Sequence, residues 1–127
     1  MFYHVWFSPT RRKWVLQGDV ERAVKELLME TARRKGLKLL ACETMVDHVH
    51  LLLDLDERQD LSKVIKDLKG PTARAVFQRF PDLHMDARLQ HLWQRGYGCR
   101  EVPPEEVERV AGYIKSQHER LDKYDRG

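Results

Sequence analysis

Met45-Val46-Asp47-His48-Val49-His50-Leu51-Leu52-Leu53-Asp54-Leu55 stands near the middle of the chain. Residues 48–55 read as a strand and residues 37–45 (LKLLACETM) as its neighbour, the two joined by a tight turn at Val46-Asp47. Side chains alternate along a strand, so His48 and His50 share one face while Val49 points into the core. The strand rise sets the two imidazoles about 7 Å apart along that face. Such a pair can converge on one divalent ion. It can equally be two histidines on a solvated strand, and spacing alone divides the readings about evenly. Leu51-Leu52-Leu53 follows directly, which places the pair at the rim of a buried strand and favours a site.

Working outward, residues 2–8 (FYHVWFS) are aromatic and β-branched and read as a strand, with Pro9 and Arg11-Arg12-Lys13 forming the loop after it. Val20, Ala23, Val24, Leu27, Leu28 and Thr31 repeat at helical spacing, which predicts a helix over 19–35 from an Asp19 cap to a stop at Gly36. A second helix is expected over 60–69, kinked or broken by Gly70-Pro71, with a further helical stretch to about 80 closed by Pro81. Residues 82–90 read as irregular and 91–102 as a strand. After Pro103, a last helix is expected over 104–123, with Val107, Val110, Ala111, Ile114 and Leu121 on one side. The order β-α-β-β-α-β-α is an α+β, ferredoxin-like split βαβ plan with an extra C-terminal helix. An antiparallel sheet is expected to carry the first two helices on one face and leave the other face free to bind something.

Composition bounds the class. With 127 residues, no repeat and no obvious linker, a single domain over 1–127 is expected. Hydrophobic residues at 42% and charged residues at 34% fit a soluble globular protein and exclude a disordered tail. The net charge of +3 says little about partners. Cys42 and Cys99 form no CxxC pair and no disulfide framework, and read as two reduced, packed thiols. The start, MFYHVWFSP, lacks the basic and long apolar regions of a signal peptide, and no apolar run is long enough to cross a membrane. A cytoplasmic protein with no membrane partner is expected.

The last helix brings the second half of the chemistry. Tyr113 and Gln117 are one turn apart and share a helix face. A Gln carbonyl can be a third metal ligand, and a Tyr hydroxyl beside it a nucleophile. Taken singly, Tyr113 is more often a half-buried helix tyrosine and Gln117 a surface residue. Tyr97, in Arg95-Gly96-Tyr97-Gly98, is a rival nucleophile, though packing or stacking suits it better.

Together these residues resemble the single-tyrosine HUH transposases, the small transposases of the insertion-sequence-200 type. The resemblance spans nearly the whole chain: Tyr3-His4-Val5-Trp6-Phe7, Met45-Val46-Asp47-His48-Val49-His50-Leu51-Leu52, Leu68-Lys69-Gly70, Leu92-Trp93-Gln94-Arg95-Gly96-Tyr97 and Tyr113-Ile114-Lys115-Ser116-Gln117. It implies that His48, His50 and Gln117 hold Mg²⁺ or Mn²⁺ and that Tyr113 is the nucleophile. It implies a substrate of single-stranded DNA with hairpins at its ends, cut through a 5′-phosphotyrosine that leaves a free 3′-OH. It also implies a homodimer joined through the sheets, in which the tyrosine helix can serve the partner's histidine pair. Pro103-Pro104 departs from the glycine-containing link of the family and stiffens the entry to the tyrosine helix. A site completed within one chain, a monomer, or a relative associated with repetitive palindromes is therefore open.

Arg11, Arg12 and Lys13 after the first strand, Lys63, Lys66 and Lys69 at helical spacing, Arg74 just beyond, and Arg95 are the expected phosphate contacts, with Arg100 flanking the fourth strand. A solvated charged helix face accounts for the lysine stripe as well. Trp93, Tyr97, Phe77 and Phe80 could stack on unpaired bases, or be core. Two alternatives to the transposase stand beside it. One is a nucleic-acid-binding module without catalysis, and the other is a hydrolytic metal-dependent phosphodiesterase in which Tyr113 is structural.

Overall fold

Four strands form one antiparallel sheet in the computed structural model, which describes residues 1–86 and 89–117. In chain order the elements are β1 (Phe2–Phe7), α1 (Gly18–Arg34), β2 (Lys38–Met45), β3 (His48–Asp54), α2 (Leu61–Arg79), α3 (Asp82–Asp86), β4 (Gly98–Val102) and α4 (Val107–Lys115). Single 3-10 turns lie at Thr10–Arg12 and Pro104–Glu106. The strands lie in the order β2-β3-β1-β4, and each neighbouring pair is antiparallel. This is the split βαβ plan expected from the sequence. No described helix is long and apolar enough to cross a membrane.

Strand alternation divides the core in two. Val5 and Phe7 of β1 and Val49, Leu51 and Leu53 of β3 meet Val24 and Leu28 of α1 and Val64, Ile65, Leu68 and Val76 of α2. On the opposite face Ala41, Leu52 and Val102 meet Val110 and Ile114 of α4. That face was expected to be free, and α4 covers part of it. The reason is Leu52, which is fully buried and would otherwise face water; a strand apolar on both sides needs cover on both sides. Beside α4 the same face carries Trp6, His48 and His50 around the buried His4, with Arg100 beside them on β4.

The structure departs from the expected boundaries at several points. Gly70-Pro71 does not break α2, which runs on to Arg79. Proline costs one backbone hydrogen bond, while Val64, Ile65, Leu68, Thr72 and Val76 keep one continuous buried face across it. The fourth strand is shorter than 91–102, because residues 91–97 join the sheet region only through an isolated bridge between Pro9 and Trp93 and then turn at Gly96, whose φ is +84°. Residues 82–86, expected to be irregular, form the short α3. A 3-10 turn replaces the first turn of the expected last helix, and Leu121 lies outside the described residues. Cys42 is buried as expected, with burial pushing its thiol pKa up to about 12, whereas Cys99 is exposed on β4 and not packed.

The stop at Gly36 has a clear physical form. Its φ is +68°, its N–H donates to the Arg33 carbonyl at 3.1 Å, and the Leu37 N–H donates to the Ala32 carbonyl at 2.8 Å. This double closure requires a left-handed residue. Gly36→Ala is expected to lower stability by about 1 kcal/mol, read as a shifted midpoint in urea with an unchanged slope.

Candidate active site

β3 brings His48 and His50 to one face, as the alternation requires, with ring centroids 4.8 Å apart, closer than the spacing expected from the strand rise. Each ring has one nitrogen already engaged. His48 Nδ1 lies 2.7 Å from Asp47 Oδ1, and His50 Nδ1 lies 3.0 Å from His4 Nε2. Both rings therefore keep Nε2 for another partner, which is the arrangement that orients metal-binding imidazoles. Asp47 is in turn paired with Arg12 at 3.1 Å. Burial alone would raise the Asp47 carboxyl, but the hydrogen bond and charge of His48, together with Arg12, hold it below the usual carboxylate range. Arg11 and Arg12 have φ of +54° and +52°, so the turn that delivers the Arg12 guanidinium to this network carries two non-glycine residues in the left-handed region.

His4 is the residue that sequence reading missed. It is buried on β1 and its ring touches three others: His50 at 5.2 Å between centroids, Trp6 at 5.1 Å and Tyr113 at 6.5 Å. The tyrosine helix α4 thus lies over the histidine face of its own sheet. Two open clefts meet along the His4–Trp6 ridge. One, of about 390 Å³, is lined by His48, His50, Ser8 and Arg12; the other, of about 710 Å³, is lined by Arg100, Arg109 and Tyr113. Tyr113 is 43% exposed, so its ring is open to a substrate.

The other expected site residues fall differently. The Gln117 amide is turned back on its own helix, with Nε2 donating to the Tyr113 carbonyl at 2.9 Å, so its side chain does not meet the histidines here. Among the described residues no three His, Cys, Asp or Glu converge on one point, so an imidazole-bound cation would need amide, phosphate or water oxygens for its remaining positions. Lys63, Lys66, Lys69 and Arg74 lie on α2, which packs on the sheet face opposite the histidines. The Lys69 ammonium donates to the carbonyls of Gln94 and Gly96 at 3.0 and 2.9 Å, and clasps the 94–97 loop. Arg74 and Arg95 line a separate groove on that side. Arg11 is exposed and Lys13 half-buried in the loop after β1. The Tyr97 hydroxyl pairs with Ser62 Oγ at 2.6 Å, and its ring packs on the α1–α2 side of the core, away from the histidines. Trp93 is core, edge-on to Phe7, while Phe77 stacks on His84.

Burial, then the charges of His48 and His4, lower the His50 pKa from 6.5 to about 4. Burial, then Arg100, lowers His4 as well. Both rings are thus held neutral in the fold while the unfolded chain takes up protons near pH 6.5. The unfolded state then binds more protons, so the stability present above pH 6.5 is lost as pH falls towards 4. Urea midpoints should fall steadily over that window, and His50→Gln should flatten the slope.

The sequence profile of the family described as "Transposase IS200 like" matches residues 1–117. The ISDra2 transposase TnpA of Deinococcus radiodurans is 34% identical over 118 residues, covering 93% of this chain and 84% of that protein. The transposase for insertion sequence element IS200 of Salmonella typhimurium is 31% identical, covering 92% and 76%. A crystal structure of a Deinococcus radiodurans R1 protein, described there as a transposase, superposes with a TM-score of 0.75 at 32% identity, covering 92% of this chain and 90% of that one. The fold also matches, at a TM-score of 0.63 and 14% identity, a REP-associated tyrosine transposase bound to a REP hairpin, covering 91% and 64%.

Proposed function

This chain belongs to the IS200-like transposase family, and on that premise we propose that it cuts and rejoins hairpin-bearing single-stranded DNA through a covalent link to Tyr113. The observation that carries this reading is the position of His4, whose ring lies against both His50 and Tyr113. Tyr113 and the His48–His50 pair thereby border one ridge on the same face of the sheet, which supports the reading of a nucleophile beside a pair of metal-type ligands. A binding module needs neither.

The donor set fits a divalent cation. Two imidazoles have Asp47 and His4 fixing their outer nitrogens, and the Gln117 amide oxygen stands free of the bond its nitrogen makes. His48 and His50 would hold Mg²⁺ or Mn²⁺, and Gln117 would join them once its side chain turns away from the Tyr113 carbonyl. When bound, the ion supplies Lewis-acid stabilisation of charge on the phosphate oxygens.

The chain's own residues do the rest. The Tyr113 oxygen attacks phosphorus as its proton leaves, a bond from phosphorus to tyrosine forms, and the bond to the 3′ oxygen breaks. The departing 3′ oxygen takes up a proton. One phosphodiester replaces another, so a second 3′-OH can reverse the step without ATP. Arg100 and Arg109 offer positive charge to the flanking phosphates in the Tyr113 cleft, and Arg12 does so at the histidine cleft. On this proposal Tyr113 serves the histidine pair of its own sheet, since the His4 ring lies against both His50 and Tyr113. DNA contacts by Arg11, Lys13, Lys63, Lys66, Arg74 and Arg95 belong to the same proposal, as positions outside the two clefts.

The test is incubation with end-labelled hairpin-bearing single-stranded DNA and Mn²⁺, followed by a denaturing gel. The expected product is a protein–DNA adduct that resists denaturation. Cleavage with no adduct would replace this reading with hydrolysis, and binding without cleavage in either metal would replace it with a binding module.

A further inference from the structure

We propose that Trp6 is a stacking platform for an unpaired base of the substrate strand, seated beside the reacting phosphate and held flat by Gly98. The identity of the strand rests on the reading above; the platform rests on a separate set of observations.

Trp6 is 39% exposed on the central strand β1, in the middle of the open part of the sheet. In register it has His50 on one side and Gly98 on the other. Its indole leans over Gly98, and a Cβ added at Gly98 would overlap Nε1 and Cε2 of the ring. Aromatic rings do cover glycines on edge strands, and β4 is such an edge. The same packing sets the ring beside the site. With His4 it forms the ridge common to both clefts, the histidine cleft on one side and the Tyr113 cleft on the other.

A phosphate that reaches both Tyr113 and the histidines must bring its flanking nucleotide across that ridge. Single-strand binders meet such bases with an aromatic face and meet the backbone with cations. Both are present here, since exposed Arg100 and Arg109 line the same 710 Å³ cleft as Trp6. Arg109 also pairs with Glu106 at 2.8 Å, which holds it at the mouth. The edge of His4 against the indole and the bare backbone of Gly98 beneath it leave the platform little room to tilt.

The experiment measures binding of a fluorescein-labelled oligodeoxythymidylate by anisotropy in EDTA, where no chemistry runs. Trp6→Ala is expected to weaken binding about 5- to 150-fold, the range for loss of one stacked base. Trp6→Phe should recover most of the affinity. Gly98→Ala, which keeps the indole but displaces it, should resemble Trp6→Ala. An oligonucleotide with abasic sites should bind more weakly to the wild type and be indifferent to Trp6→Ala. In a Trp14→Phe background, where Trp6 remains with buried Trp93, the oligonucleotide should quench the intrinsic fluorescence. This readout needs no change at the platform itself.

Equal affinity of wild type and Trp6→Ala, equal losses on intact and abasic strands, or no quenching would each overturn the proposal. Because the assay requires neither metal nor Tyr113, the two readings fail separately. A wild-type adduct with Trp6-independent binding removes the platform alone, and Trp6-dependent binding with no adduct removes the catalytic reading alone.

Discussion

Tyr113→Phe is expected to abolish the covalent adduct and lower strand cleavage by at least about a thousandfold, the scale of losing a nucleophile. Single-strand binding should remain near wild type. The substitution removes one hydroxyl from a ring that is 43% exposed, so stability should change by no more than about 1.5 kcal/mol. That separation of activity from folding makes the result readable. A denaturing gel scores the adduct, and a thermal melt on the same sample shows that the fold is intact. An adduct that persists in Tyr113→Phe would transfer the role to another side chain, with Tyr97 the first to examine. The geometry speaks against Tyr97, because its hydroxyl is committed to Ser62 on the other side of the sheet.

Leu52→Ala carries a large expected cost in stability, about 2 to 5 kcal/mol. Leu52 is completely buried and lies where Ala41, Val102, Val110 and Ile114 converge. Truncation leaves a cavity between the sheet and α4, and Ile114, next to Tyr113, loses the surface it rests on. The fall in the urea midpoint should therefore be accompanied by slower adduct formation per folded molecule. Leu53→Ala is the control. Leu53 is as deeply buried but faces α1 and α2, so it should cost similar stability and leave the rate per folded molecule near wild type. If both substitutions slow the chemistry equally, α4 is not positioned through this layer.

Much of the architecture was legible because it is written in local patterns. The β2–β3 hairpin followed from alternation around Val46-Asp47, and α1 from its apolar spacing and Gly36. Pro71 misled because a single missing N–H was weighed above the buried face that Val64, Leu68, Thr72 and Val76 carry past it. The covered sheet face was in fact signalled, since Leu51-Leu52-Leu53 has no alternation and so must be buried on both sides. At the site, His48 and His50 were visible as a spaced pair. His4 was not, because its role comes from a diagonal side-chain contact across the β1–β3 pairing, with a residue 46 positions away, and no local pattern encodes that register. The lysine stripe was equally silent about Lys69, whose ammonium is taken by two carbonyls of a distant loop.

The docking of α4 over Leu52 gives the chain an order of events. The histidines and their supports lie between residues 4 and 50, whereas the tyrosine comes at 113, on the segment that closes the second core layer. A ribosome therefore releases the histidines long before it releases Tyr113, the proposed nucleophile. Nascent chains, and chains cut short before α4, would hold no tyrosine at the site and would be harmless to any single strand they met. On the proposed chemistry, the power to break DNA arrives only when α4 has been made and docked.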